Sequence, residues 1–226
     1  MFSSAELTAL ALTLKLALVS TIVLLVVGIP LAWWLARTRW RFRFLLDAII
    51  ALPLVLPPTV LGFYLLLALG PSGPLGRFMD ALGGHSLAFS FSGLVIGSVI
   101  YSLPFVVQPI QQSFIATGRR PMEVAASLGA APLDRFFSIA LPLARPGILT
   151  GAALGFAHTL GEFGVVLMIG GSIPGETRVV SIAIYEQVES LQYTQAHWLS
   201  GALLLLSLVL LALVYRTSHH FRIGPA

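Results

Sequence analysis

The chain has 226 residues, 57% of them hydrophobic and 10% charged, with a formal net charge of +4 and a mean hydropathy of +0.93. A soluble domain carries about 25% charged residues, so this composition favours a membrane protein over a water-soluble one. The sequence contains no cysteine, which excludes disulfides and thiolate chemistry.

Five segments are apolar and long enough to cross a bilayer, which takes about 20 residues of helix. The first lies within 7–36, and the others lie at roughly 45–69, 87–110, 147–169 and 198–215. The first run exceeds the apolar core of a signal peptide, which is about 7–15 residues, so we interpret it as a retained span. Because no soluble segment is left over, residues 1–226 are predicted to form one all-α transmembrane domain.

Basic residues divide the connections between these segments into two groups. The second connection holds Arg77 and the fourth holds Arg178, whereas the first, the third and the C-terminal tail hold most of the others: Arg37, Arg39, Arg41, Arg43, Arg119, Arg120, Arg135, Arg145, Arg216 and Arg222. Because basic connections stay in the cytoplasm, we expect the N-terminus outside and the C-terminus inside. This arrangement explains the basic residues by the bilayer and requires no nucleic-acid partner.

Prolines interrupt two of the predicted spans. Pro53, Pro57 and Pro58 lie in the second, and Pro104 and Pro109 lie in the third. Proline removes a backbone donor and clashes with the preceding helical turn, so we expect both spans to be irregular. Such breaks either serve as packing kinks or line a water-filled path, and the pattern alone leaves both readings open.

Small residues recur along the predicted fourth span. Gly147, Gly151 and Gly155 are spaced four apart, and Thr159 continues the row. This spacing lets two membrane helices approach closely, so we expect the row to be a helix contact within the chain or its dimer.

Two ionisable side chains lie beside that row. His158 and Glu162 are four residues apart, and a carboxyl group within a span usually faces the bundle interior or water. Glu162 could bond to His158 or to nearby backbone as a purely structural pair. Alternatively, both side chains lie near a translocation path, together with the polar and proline groups at Pro57, Pro58 and Thr59.

The third connection, about 113–146, is predicted to fold into two short helices. Pro121 suits the first turn of a helix, Glu123 suits its positive end, and Gly129 is placed to cap its C-terminus. Pro132 begins the second helix, which Pro142 is expected to end. Its apolar residues fall on one face: Leu133, Phe136, Phe137, Ala140 and Leu141. Such a hairpin could rest on lipid or dock into a partner protein.

The spacing within this connection resembles the EAA loop of bacterial ABC importer permeases. The family pattern matches at Glu123, Ala125, Gly129, Ile139, Leu141 and Pro142, with nine residues between the glycine and the isoleucine. It departs only at Val124, where the family usually has alanine. The resemblance implies a type I ABC importer permease fold whose hairpin docks a cytoplasmic ATPase. It implies these docking residues: Glu123, Ala125, Ala126, Gly129, Ala130, Leu133, Phe136, Ile139, Leu141 and Pro142.

Two longer stretches, 52–76 and 158–189, resemble molybdate importer permeases of the ModB type. That resemblance implies a permease homodimer in the cell inner membrane, with two ATPase subunits and an external molybdate-binding protein. Tungstate and sulfate remain alternative cargoes.

The sequence lacks a phosphate-binding loop with its lysine, Cys/His metal spacing and a serine nucleophile motif. We therefore expect no catalytic residue, metal or cofactor in this chain, with ATP and Mg²⁺ bound by the partner ATPase. A self-contained secondary transporter would leave the hairpin without a role. A polytopic membrane enzyme would need a cluster of acidic and histidine residues, which only His158 and Glu162 approach.

Overall fold

The computed structural model describes residues 3–83 and 86–220, and within these residues the chain is α-helical with no β-strand. The all-α prediction is confirmed. The helices are α1 (Ser4–Arg37), α2 (Arg43–Ala51), α3 (Pro58–Leu69), α4 (Pro74–Ala81), α5 (Phe91–Thr117), α6 (Arg120–Ser127), α7 (Pro132–Arg135), α8 (Leu141–Leu143), α9 (Arg145–Leu160), α10 (Gly164–Gly170), α11 (Val180–Glu189) and α12 (Tyr193–His220).

Four stretches in the described part of the chain are long and apolar enough to cross a membrane. They are α1, α5, the stretch Pro58–Met79 that contains α3, and the stretch Tyr193–Leu213 of α12. A bent pair, Pro132–Leu143 with Arg145–Leu160, brings the count to as many as five, in agreement with the predicted number.

The predicted fourth span is not one helix. The helix that begins at Arg145 ends at Leu160, and α10 begins at Gly164 after an irregular turn. Gly161 follows the last helical residue, and α10 is followed by Gly171 at φ +59°, a conformation that suits glycine. Hydropathy could not reveal this break because the residues on both sides of it are equally apolar.

The prolines act differently in the two spans that contain them. At Pro57–Pro58 the chain breaks as predicted: a 3-10 turn, Leu52–Leu54, follows α2, and Pro57 caps α3. The third span was expected to be irregular, but α5 runs unbroken from Phe91 to Thr117 through Pro104 and Pro109. Tight packing against neighbouring helices explains this continuity, since surrounding protein can hold a proline-containing helix in place.

The core of the bundle is formed by α1, α5 and α9. A β-carbon added at Gly151 would lie 2.9 Å from the backbone oxygen of Val106, and one at Gly155 would lie 2.5 Å from a Val106 methyl. At Gly147 it would lie 2.4 Å from the β-carbon of Ser113. The row of small residues therefore packs against α5 within this chain, and backbone contact there leaves no space for a side chain.

Candidate functional site

The first half of the hairpin is the helix α6 and its C-terminal cap. Pro121 lies in its first turn, and Gly129 follows its end at φ +86°. The Gly129 N–H donates to the Ala126 carbonyl at 3.0 Å, and the Ala130 N–H donates to the Ala125 carbonyl at 3.0 Å. This pair of bonds is a Schellman motif, which needs a residue in the left-handed region and so favours glycine.

The second half of the hairpin corrects one expectation. Pro142 does not end the helix, because the chain stays helical through α8 to Leu143. A π-helical segment, Phe136–Ala140, precedes this proline, and its wider turn relieves the clash that a proline ring makes in an α-helix. The chain bends instead at Ala144, by 69°, before α9 begins at Arg145.

Exposure divides the predicted docking residues of the hairpin. Glu123, Ala126, Gly129 and Leu133 are exposed, Ala125 is buried, and five are half-buried: Ala130, Phe136, Ile139, Leu141 and Pro142. The hairpin also exposes large apolar residues outside the implied docking set, among them Val124, Leu128 and Phe137. Val124 occupies the motif position where the family usually has alanine. Leu128 lies between the motif positions, so only its exposure in the structure distinguishes it.

We call Val124, Leu128, Leu133 and Phe137 the apolar tip of the hairpin. Leu128 is 82% exposed and Leu133 is 72% exposed in the chain alone. Four large apolar side chains on one short hairpin form a patch that is suited to a partner surface.

The base of the hairpin is fixed to the bundle through aromatic contacts. Phe136 meets the Trp33 ring edge-on at 5.1 Å between centroids, and Trp33 meets Phe114 at 5.0 Å. Trp33 belongs to α1 and Phe114 to α5, so a displacement of Phe136 would act on α1 directly and on α5 through Trp33. The Arg119 guanidinium also donates to the Arg37 carbonyl at 3.3 Å, joining the connection to the end of α1.

A cavity of about 540 Å³ lies where α3, α5 and the break between α9 and α10 meet. Four of the five residues predicted for the path line it: Pro58, Thr59, His158 and Glu162. Pro57, the fifth, is the residue before α3 and adjoins it. Tyr101 also lines the cavity, although a single tyrosine in an apolar span gives no spacing signal of such a role.

The imidazole of His158 is held in place by α5. Its Nδ1 lies 2.9 Å from the Ser102 hydroxyl, and the ring stacks on Phe105 at 4.0 Å between centroids. Tyr101 covers it from another direction at 4.6 Å. The structural reading in which His158 bonds to Glu162 is therefore wrong, since its hydrogen bond runs to Ser102.

Glu162 lies in the break between α9 and α10 and is only 5% exposed. Neither of its carboxyl oxygens has a hydrogen-bond partner, and the nearby Ser98 hydroxyl is also buried without one. The turn is fixed through the main chain instead, because the Ser181 hydroxyl of α11 donates to the Glu162 carbonyl at 2.6 Å.

A second, more polar cavity of about 630 Å³ lies between the start of α1 and α11. Arg178 pairs there with Glu186 at 2.7 Å, and the Gln187 amide donates to Glu6 at 2.9 Å. From the sequence, Arg178 is only a charge in the fourth connection. The Arg–Glu spacing of eight residues across a turn gave no local signal of this pair.

Comparison with known families gives one decisive match. The model of the binding-protein-dependent transport system inner membrane component matches residues 28–223. The chain belongs to this family of inner membrane components. Family membership agrees with the helical spans and with the EAA-like hairpin.

Relatives of the chain include molybdenum and sulfate transport permeases. The ModB protein of Azotobacter vinelandii is 57% identical over 222 residues, which cover 98% of each chain. The ModB protein of Escherichia coli (strain K12) is 37% identical over 185 residues, covering 82% of this chain and 81% of its own. The sulfate permease CysT of Salmonella typhimurium is 35% identical over 88% of this chain and 72% of its own.

Solved structures agree on the architecture. A bacterial ABC transporter that imports alginate matches with a TM-score of 0.79 at 19% identity, over 99% of this chain and 82% of its own. The methionine ABC transporter MetNI matches in an inward-facing form with a TM-score of 0.71 at 17% identity, over 97% of this chain and 99% of its own. The chain therefore has the fold of an ABC importer permease.

Proposed function

We propose that the chain is the membrane-spanning permease subunit of an ATP-driven importer of molybdate, with tungstate as a second candidate cargo. The observation that carries this proposal is the 57% identity to a molybdenum transport permease over 98% of both chains. Identity to the sulfate permease is lower and covers less of its length, which makes sulfate the weaker candidate.

The hairpin is the proposed docking site for a separate cytoplasmic ATPase. Three features support this role: the basic residues around it, the exposed apolar tip, and the rigid Schellman turn that presents that tip. A pre-formed turn binds at a lower entropic cost than a flexible loop does. Movement of the ATPase would reach the spans through Phe136 and Trp33.

The cavity at Thr59, Tyr101 and His158 is the proposed part of the translocation path. The described residues that line it include two with hydroxyl groups, a histidine and Glu162, but no Lys or Arg. Neutral hydrogen-bond donors can stabilise a tetrahedral dianion without the strong attraction of a fixed cation. Such a lining suits passage, since an ion must leave a transport site as readily as it enters.

The partners complete the proposed assembly. We infer a homodimer of this permease, two ATPase subunits that bind ATP and Mg²⁺, and an external molybdate-binding protein that supplies specificity. The exposed apolar side chains of α3, which include Val60, Phe63, Tyr64 and Leu67, offer surface for a second permease copy or for lipid.

The test is uptake by reconstituted vesicles. The permease, its ATPase and the binding protein should accumulate labelled molybdate only when ATP is enclosed with the ATPase, and unlabelled tungstate should compete better than sulfate. The matched control omits the ATPase alone. Equal uptake without it would contradict the proposal and favour a self-contained transporter, whereas stronger competition by sulfate would reassign the cargo.

A further inference from the structure

Glu162 presents a chemical problem that the proposed path does not explain. Its carboxyl group is buried inside the bundle, both oxygens are shielded from water, and neither accepts a hydrogen bond. An ionised carboxylate in such a place loses its hydration and gains nothing in return. The burial therefore favours the neutral acid, which requires no positive partner.

The charged and titratable groups of the neighbouring elements provide no compensation. On α9, His158 is bonded to Ser102, and on α5 the nearest titratable group is the neutral phenol of Tyr101. Lys15 of α1 lies over the Phe91 ring at 4.6 Å from its centroid. Beyond α10, Arg178 is paired with Glu186, and Tyr185 of α11 packs on Phe163.

Among the residues that the structure describes, the ion pairs are those of Arg43 with Asp47 and of Arg178 with Glu186. Glu162 takes part in neither. The Ser98 hydroxyl lies near its carboxyl group, is fully buried and lacks a hydrogen-bond partner of its own. A carboxylic acid and a hydroxyl are each able to donate and accept, so the two groups are able to pair without any charge on Glu162.

We propose that Glu162 carries a proton in this structure and thereby keeps the wall of the translocation cavity free of negative charge. This inference rests on the proposed function, because the charge of that wall matters only if an anion passes it. Thr59, Tyr101 and His158 then face the anion with neutral groups. Loss of the proton to water would place a carboxylate beside the dianion and oppose its passage.

The prediction for transport is a specific pH dependence. The protonated form is the competent one, so uptake should persist at low pH and fall as the pH rises through the ionisation of Glu162. Well above that point the neutral fraction of a single acid falls about tenfold per pH unit. Glu162→Gln cannot ionise and keeps a similar shape, so it should retain uptake at alkaline pH.

Infrared spectroscopy detects the protonated carboxyl group directly and does not require a transport assay. The purified wild-type permease should show the C=O stretch of a buried carboxylic acid, and this band should disappear in Glu162→Gln. Glu176→Gln is the matched control, since Glu176 is an exposed glutamate in the connection after α10. It should keep both the band and the wild-type pH profile. If Glu162→Gln does not assemble, Glu162→Met supplies the same comparison.

Several outcomes would overturn the inference. One is an acid band that Glu162→Gln leaves unchanged, and another is an assembled Glu162→Gln permease that is inactive where the wild type transports. A wild type without the band whose uptake requires Na⁺ or K⁺ would assign a bound cation to Glu162 instead. Failure of the proposed function is separate, because absence of uptake at every pH leaves the infrared result intact.

Discussion

Truncating Leu128 to alanine should weaken binding of the ATPase subunit. Because 82% of its surface is exposed in the free chain, nearly the whole side chain is available for burial at an interface. Full burial of a leucine contributes about 1.5–3 kcal/mol. At about 1.4 kcal/mol for each factor of ten, we expect a loss of about tenfold to a hundredfold in affinity. The change should leave the hairpin folded, since its Schellman bonds are made by backbone atoms.

The assay is titration of the purified ATPase onto detergent-solubilised permease, with the dissociation constant as the measured quantity. Leu82→Ala is the matched control, because Leu82 is also highly exposed but lies in the second connection, which the charge pattern places on the other side of the membrane. Unchanged affinity for Leu128→Ala, or an equal loss for Leu82→Ala, would refute the docking argument.

Three further predictions concern the hairpin and the helix packing. Gly129→Ala should destabilise the hairpin by about 1–2 kcal/mol, because a φ of +86° strains any L residue. Thermal unfolding measures this loss of stability, and titration with the ATPase measures the accompanying loss of affinity. Gly151→Ala should lower the unfolding temperature, because overpacking destabilises a protein by about 1–3 kcal/mol. Gly201→Ala is the control and should leave the unfolding temperature unchanged, since a β-carbon there meets nothing within 4 Å. Phe136→Ala should reduce ATP-driven uptake more than it reduces ATPase binding, because its half-buried ring contacts Trp33, and equal losses of both would contradict this coupling route.

Local chemistry accounts for the features that could be predicted. Pro57–Pro58 breaks a span because a proline at the start of α3 needs no donor, and the same reasoning located the start of α6 at Pro121. Gly129 was predicted as a cap from its position alone and adopts the left-handed conformation that a Schellman motif requires. Each of these effects acts over one or two helical turns.

Predictions from local residue preferences were wrong where contacts with distant parts of the chain determine the structure. Pro104 and Pro109 have the same intrinsic preference as the prolines of the second span, yet α5 stays continuous between α1 and α9. Pro142 likewise stays inside a helix, because the π-helical turn before it makes room for the ring. The bend falls at Ala144 instead, two residues before Pro146, which lies in the first turn of α9.

The sequence by itself determined the membrane class, the approximate number of spans and the two-helix hairpin, because hydropathy and turn preferences depend on neighbours along the chain. The sequence grouped Thr59 with His158 and Glu162 as one of two alternatives. The tertiary structure places them around one cavity and adds Tyr101, since these residues come from three separate parts of the chain. It also decided that His158 bonds to Ser102 and leaves the Glu162 carboxyl unpartnered. Side-chain partners across a helix bundle depend on the register and rotation of each helix, which sequence spacing does not specify.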